Sequence, residues 1–109
     1  MIDPKDLDEL RLMCGDVSVL SEGGVDLVFI PRLMLPPGCT PHETSALLCV
    51  GPHSGYTTRL FLSAHIPGKA ANWTQHIVAG KLWHTWSWNQ VPATLRPAEI
   101  LAEHLRGLR

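Results

Sequence analysis

Cys39 and His42 are the two residues whose types and spacing could support nucleophilic chemistry. Cys39 follows Gly38 and precedes residues 40–43, which fit a capping box and predict a single turn of helix. A helix N-terminus lowers the pKa of a thiol, and the imidazole of His42 is close enough in sequence to act as a base. Cys39 and His42 are therefore the candidate catalytic residues, and the alternative is that Cys39 is an ordinary loop thiol.

The other two cysteines occur in apolar patterns. Cys49 lies in an apolar run that predicts a buried strand, and Cys14 shares the apolar face of the first predicted helix. Both are expected to be inert core thiols. Because the cysteine count is odd and the N-terminus is acidic and polar rather than a signal peptide, we predict reduced thiols and a cytoplasmic location.

Three of the six histidines, His65, His76 and His84, fall in the later part of the chain. Three imidazoles could hold a zinc ion and leave its fourth position open, which would give a small metal-dependent hydrolase. Their spacings match no compact metal signature, so scattered surface or hydrogen-bonded histidines are the favoured interpretation. The sequence also contains no phosphate-binding loop and no Gly-x-Ser-x-Gly elbow. We predict no metal and no cofactor.

All four tryptophans lie between residues 73 and 88. Tryptophan is unfavourable in water, and each buried indole removes on the order of 200 Å² from solvent. One interpretation is that the indoles pin a long crossing segment and the last helix to a sheet. The other is that at least one indole is exposed in a protein-binding patch, because tryptophan is enriched at binding hot spots. The candidate binding residues are Trp83, His84, Trp86, Trp88 and Tyr56.

Length and composition predict a single soluble domain over residues 1–109. The apolar fraction of 45% and the charged fraction of 17% argue against disorder. The net charge of −1 gives no positive electrostatic potential that would attract the phosphate backbone of a nucleic acid. No nucleic-acid partner is therefore expected. No apolar run approaches the roughly 20 residues of a membrane span, so we expect no membrane association.

A helix is predicted at each end of the chain. The first begins with Asp3 as its cap and ends at Gly15. The second begins with Thr94 or Arg96 as its cap and has Pro97 in its first turn. Their apolar faces consist of Leu7, Leu10, Met13 and Cys14 in the first helix, and Ile100, Leu101, Leu105 and Leu108 in the second.

Between the helices the pattern predicts four strands. DVSVL and VDLVFI form a hairpin around the turn SEGG, and Pro31 bends or ends its second strand before a break at PPG. The run 46–50 and the segment 57–66 are the other two strands, and residues 67–92 are expected to be mostly irregular. This order predicts an α+β fold, a four-stranded antiparallel meander with a long ordered crossing and the helices on one side.

Four short motifs resemble the ubiquitin-conjugating (UBC-like) superfamily. They are LPPG at 35–38, GPHSGYTTRLFL at 51–62, SAHIPGKAANW at 63–73, and WHTWSWNQVPATLRPAEILAEHL at 83–105. The Pro-Gly loop and the Trp-x-x-x-Ser element at 83–87 are similar to those of the bacterial conjugating-enzyme family E. Over residues 15–108 the resemblance implies a UBC-like fold and a role in bacterial ubiquitin-like modification. The partners that it implies are a ubiquitin-like modifier and its activating enzyme, in systems that also contain a JAB-type peptidase.

One residue of a conjugating enzyme is missing. The resemblance places the thioester cysteine near residues 81–85, and no cysteine follows Cys49. Neither His84 nor Thr85 could form the same thioester. We therefore expect a UBC-like protein that binds the modifier or its activating enzyme without a covalent bond. The alternatives are an active conjugating enzyme that uses Cys39, the metal-dependent hydrolase, and a structural subunit without chemistry.

Overall fold

Two helices and an antiparallel sheet make up the computed structural model, which describes residues 2–53 and 55–109. The elements are helix α1 (Pro4–Cys14), strands β1 (Ser18–Glu22), β2 (Val25–Met34), β3 (Glu43–Cys49), β4 (Arg59–Leu62), β5 (Thr74–Val78) and β6 (Lys81–Thr85), and helix α2 (Pro97–Arg106). The strands pair in the order β1-β2-β3-β4-β6-β5. The predicted α+β class with a helix at each end is confirmed, but the described residues contain six strands rather than the predicted four.

Helix α1 has the ends that its sequence predicts. The Asp3 carboxylate accepts a hydrogen bond of 2.8 Å from the Lys5 backbone N–H, which satisfies a donor that has no partner within the helix. Gly15 ends the helix at a φ of +77°, a value that favours glycine. Leu10 is fully buried, whereas Met13, predicted to be on the apolar face, is half exposed.

The predicted hairpin at the start of the sheet is confirmed. Gly23 and Gly24 connect β1 to β2 with φ values of +59° and +78°. A two-residue turn with two positive φ angles matches the twist of the strands, and glycine adopts it without strain. Pro31 lies where the β2–β3 register shifts between Ile30 and Leu33. Because proline has no N–H to donate, the strand bends there instead of pairing evenly.

Residues 67–92 differ most from the prediction. They contain a second hairpin, β5–β6, which turns at Ala79 and Gly80 with φ values of +51° and +76°. Strand β6 joins the rest of the sheet by pairing with β4, where Leu62 is opposite His84. Residues 67–73 and 86–92 lie outside helices and strands, as expected, but the lack of a hairpin in the prediction is an error. Its physical cause is that Ile77 and Leu82 put apolar side chains on the solvent face, which hides the alternation of the strands.

The sheet has a buried apolar layer on each face. The face that packs against the helices includes Val28, Ile30, Ala46, Leu48, Leu60, Leu62 and Trp86, together with Ile100, Leu101 and Leu108. The opposite face includes Leu27, Leu47, Cys49, Phe61, Val78 and Trp83. Neither of the two helices in the described residues covers this second layer, so its burial depends on curvature of the sheet.

The sheet curls so that its two outer hairpins approach each other. The rings of Phe29 on β2 and Trp83 on β6 are 6.4 Å apart, although two strands separate β2 from β6 in the sheet. The Glu22 carboxylate accepts a hydrogen bond of 2.8 Å from the Ala79 backbone N–H, which joins the two hairpin turns. We call the inner side of this curl the concave face.

Helix α2 closes the other side of the sheet. Arg96 is its N-cap residue, and the Glu99 side chain accepts a hydrogen bond of 3.1 Å from the Arg96 backbone N–H. At its other end, a Cβ atom added to Gly107 would lie 2.9 Å from Trp86 Nε1 and 2.9 Å from the Trp88 ring. The end of the chain therefore packs tightly against these two indoles. Neither helix in the described part of the chain has the length and apolar composition to cross a membrane.

Candidate functional site

A shallow groove of about 590 Å³ opens beside strand β6, next to the predicted tryptophan cluster. Its lining consists of His65, Trp73, Thr74, Gln75 and His84. The sheet register sets one wall, because His84 on β6 is opposite Gln75 on β5 and opposite Leu62 on β4. The other wall comes from the connection between β4 and β5.

Trp73 forms the base of this groove. Its ring centroid is 4.8 Å from that of His65 and 5.1 Å from that of Trp86, which is only 2% exposed. The Trp73 Nε1–H donates a hydrogen bond of 2.8 Å to the Lys69 carbonyl, which fixes the orientation of the indole. A half-buried indole held in this way offers a rigid apolar surface with little conformational entropy to lose on binding.

The groove continues into an exposed apolar pair on the same face of the hairpin. Ile77 on β5 is opposite Leu82 on β6, two cross-strand pairs beyond Gln75 and His84 and therefore on the same face. Ile77 is 70% exposed and Leu82 is 43% exposed. We call the combined surface of the groove residues with Ile77 and Leu82 the hairpin surface. It presents aromatic, imidazole, amide and apolar groups together, and its lining contains no cysteine.

The tryptophans of the predicted binding patch are mostly part of the fold. Trp83 is buried on the concave face, where its Nε1–H donates to the Val78 carbonyl at 3.1 Å. Trp86 lies in the core that packs against the helices, and the Trp88 Nε1–H donates to the Glu103 carbonyl of α2 at 2.8 Å. The contacts of Trp86 and Trp88 hold the segment that follows β6 against α2 and the core, in line with the first of the two interpretations.

Tyr56 and His84, the other two predicted binding residues, lie on different surfaces. The Tyr56 hydroxyl donates a hydrogen bond of 3.2 Å to Ser87 Oγ, and its ring stacks against Arg59 near the concave face. His84 alone of the five lines the groove. Trp73, Thr74 and Gln75 were missed by the sequence analysis. A hairpin turn recognised at Ala79-Gly80 would have placed Gln75 opposite His84.

The predicted catalytic pair lacks the local structure on which its chemistry depends. Strand β3 begins at Glu43, and the Leu35 N–H donates to the His42 carbonyl at 2.8 Å, so the predicted helical turn at 40–43 is wrong. His42 and Glu43 instead adopt an extended backbone that pairs with the end of β2. Cys39 is only 6% exposed and its thiol donates to the Leu108 carbonyl at 3.5 Å, whereas His42 is exposed. A catalytic role for Cys39 and His42 stays a prediction. The helical turn that was expected to lower the pKa of the Cys39 thiol is not formed.

The remaining cysteines have the surroundings of unreactive thiols. Burial raises the pKa of both Cys14 and Cys49 above the usual value for a thiol. The Cys49 Sγ–H also donates to the Gly51 carbonyl at 3.2 Å, a hydrogen bond that only the protonated thiol can make. A raised thiol pKa lowers the thiolate fraction that reacts at neutral pH.

We predict that native protein treated with iodoacetamide at neutral pH is labelled slowly, and only at Cys14. Cys14 is half-buried, whereas Cys39 and Cys49 are buried. Intact-mass and peptide mass spectrometry would count the labels before and after denaturation. In denaturant all three cysteines should react. Rapid labelling of Cys39 in the native protein would contradict the prediction and revive its role as a nucleophile.

The three histidines of the hypothetical zinc site do not converge. His76 is opposite Trp83 in the β5–β6 register and shares its concave side, whereas His84 is opposite Gln75 on the other side. Only His65 and His84 share the groove. Over residues 2–53 and 55–109 there is no group of three His, Cys, Asp or Glu side chains that could hold a metal ion.

The hairpin surface can therefore bind a partner by aromatic, apolar and hydrogen-bonding contacts, and it holds no thiol that could form a thioester. Comparison of the chain with known proteins found no matching family model, no matching curated protein and no matching solved structure.

Proposed function

We propose that this chain is a UBC-like protein of a bacterial ubiquitin-like modification system, and that it binds the ubiquitin-like modifier without forming a thioester. The observation that carries the proposal is the hairpin surface. Two of its residues, Leu82 and His84, lie in the part of the chain where the resemblance would place the thioester cysteine, residues Lys81–Thr85 of β6. In that position the chain presents a groove based on Trp73 and the exposed pair Ile77 and Leu82.

The composition of the hairpin surface supports a protein partner. Adjacent exposed apolar side chains such as Ile77 and Leu82 are typical of interaction sites. The indole of Trp73 supplies a rigid anchor, and the side chains of Gln75 and His84 supply hydrogen-bonding groups at its rim. Binding through such a surface requires no nucleophile, which agrees with the buried state of Cys39 and Cys49.

The direct test is a binding titration with the purified ubiquitin-like modifier of the same host, observed by NMR chemical-shift changes on this chain. Saturable changes should be confined to the hairpin surface. Ile77→Ser should weaken binding about tenfold, in line with about 1.4 kcal/mol from one partly buried apolar contact. Met34→Ser is the matched control, because Met34 is also a strongly exposed apolar strand residue but lies on β2.

A second arm tests the absence of a thioester. The chain is incubated with the modifier, its activating enzyme and ATP, and the products are separated with and without thiol. We expect no adduct that thiol removes. Such an adduct, lost in Cys39→Ser, would replace this proposal with the active conjugating enzyme. Failure of the modifier to bind at all, with the fold intact, would also reject it.

A further inference from the structure

Three polar side chains of the groove beside β6 have no partner in the fold. The groove has a volume of about 590 Å³, which is within the range of small-ligand sites. The side chains of His65, Gln75 and His84 line it, and they make no hydrogen bond within residues 2–53 and 55–109. Gln75 and His84 are cross-strand neighbours on β5 and β6, yet they do not bond each other. All three side chains therefore present unused donors and acceptors to a ligand that enters the groove.

The indole of Trp73 is held in place among these three side chains. Its ring centroid is 4.8 Å from that of His65, and its Nε1–H donates to the Lys69 carbonyl at 2.8 Å. Because this donor is used inside the fold, the indole offers only its apolar surface to the groove. Thr74 also has its polar group occupied, since its Oγ1 bonds His76 Nε2 at 3.0 Å.

The groove has no carboxylate, ammonium or guanidinium group that would select an ionic ligand. None of the described residues that line it is Asp, Glu, Lys or Arg. A ligand with a phosphate or a carboxylate would therefore find no counter-charge there. A purely apolar ligand is also disfavoured, because it would cover three polar side chains without giving them hydrogen bonds. The ligand that fits is neutral and combines an apolar surface with many hydrogen-bonding groups.

We propose that the groove beside β6 is a binding site for a neutral saccharide. A pyranose ring has a face of C–H groups that packs on an indole, and a rim of hydroxyls that both donate and accept hydrogen bonds. The side chains around Trp73 match this rim, since a glutamine amide and a neutral imidazole each provide a donor and an acceptor. Gln75 and His84 belong to one wall of the groove and His65 belongs to the other, so a ring placed on Trp73 is contacted from two sides.

This site goes beyond the proposed function and does not rest on it. A saccharide needs only the groove residues, whereas the modifier is also expected to cover the exposed apolar pair of Ile77 and Leu82. Because both ligands would cover Trp73, a bound saccharide and a bound modifier would exclude each other.

The test is an NMR titration of the full chain with the methyl glycosides of glucose, galactose, mannose and N-acetylglucosamine. We expect at least one of them to bind saturably in the millimolar range, as is typical of a few hydrogen bonds in an open groove. Chemical-shift changes should be largest at the side-chain amide of Gln75 and at the backbone amides of Trp73, Gln75 and His84. Binding by none of the four glycosides would overturn the proposal.

Two further ligands test which part of the saccharide is recognised. Sorbitol has the hydroxyls of a hexose but no ring to pack on the indole, so it should bind more weakly than the best glycoside by about tenfold or more. The methyl glycoside of glucuronic acid adds a carboxylate and should bind no more tightly than that of glucose. Equal binding of sorbitol, or a preference for the glucuronide, would reject a neutral saccharide as the ligand.

Variants locate the binding and separate the two proposals. Gln75→Ala and His84→Ala each remove one hydrogen-bonding side chain and should weaken saccharide binding about fivefold. Trp73→Ala should abolish it, and if this variant does not fold, the other two still decide. Ile77→Ser should weaken modifier binding but leave saccharide binding unchanged, so that failure of one proposal is distinguishable from failure of the other. Saccharide binding that is unchanged in both Gln75→Ala and His84→Ala would contradict the assignment to this groove.

Discussion

Trp86→Ala is expected to lower the free energy of unfolding by about 3–5 kcal/mol, the range for deleting a fully buried aromatic side chain. Trp86 lies in the core between the sheet and α2, in contact with Trp73 and next to Gly107. A domain of this size is typically stable by only about 5–15 kcal/mol, so the variant should be close to unfolded. Urea denaturation followed by far-ultraviolet circular dichroism measures the change without depending on indole fluorescence.

The matched variant is Trp86→Phe. It leaves a smaller cavity and also removes the buried Nε1–H, which has no hydrogen-bond partner in the described part of the chain. Because an unsatisfied buried donor costs about 1–3 kcal/mol, its removal should offset much of the lost packing. The phenylalanine variant should therefore be far more stable than the alanine variant. Equal destabilisation by both would mean that the indole N–H does have a partner in solution.

Stability should also fall as the pH is lowered, because of His104 on α2. Burial, with a smaller contribution from Arg59, lowers the pKa of His104 to about 4, from an ordinary value of 6.5. The unfolded chain therefore takes up a proton at this residue before the folded chain does. Stability from His104 is complete above pH 6.5 and is lost as the pH falls towards 4, by about 3 kcal/mol in total.

The hydrogen bonds of His104 explain why the folded state holds the neutral form. Thr58 donates its single hydroxyl hydrogen to the Val91 carbonyl at 2.8 Å, so its oxygen must accept from His104 Nε2–H at 2.9 Å. Protonation would add a second N–H and a charge inside the core. His104→Gln keeps a donor for Thr58 but cannot titrate. The free energy of unfolding is measured by urea denaturation near pH 7 and near pH 4 in both proteins. It should change less between the two pH values in His104→Gln than in the wild type. The other histidines are present in both proteins, so their contribution cancels in this comparison. An unchanged pH effect would reject the assignment.

The helices and the first hairpin could be predicted because their signals are local. Asp3 and Gly15 cap α1 by hydrogen bonds to backbone groups a few residues away. Gly23 and Gly24 form a turn that requires two positive φ angles, which glycine adopts readily. The β5–β6 hairpin could not be predicted in the same way. Its turn puts Ala79 at a positive φ, and alanine is not a residue that signals such a turn.

The candidate sites were harder to predict because they depend on pairings distant in sequence. His84 was identified, but its groove also needs the β5–β6 register and the packing of Trp73 on Trp86. The contact between the His53 and His76 rings, 6.3 Å apart, likewise joins residues more than twenty positions apart in the chain. The burial of His104 could have been predicted, because His104 falls at helical spacing within the apolar stripe of α2.

The hydrogen bond between Glu22 and Ala79 has a consequence for self-association. Strands β1 and β5 are the two edges of the sheet, and an open edge is a template for adding strands from other molecules. The curl turns these edges towards each other where the two hairpin turns meet. A second molecule that tried to extend the sheet there would collide with the opposite hairpin. The same curvature that buries the concave face thus protects the chain against growth into fibrils by edge-to-edge stacking.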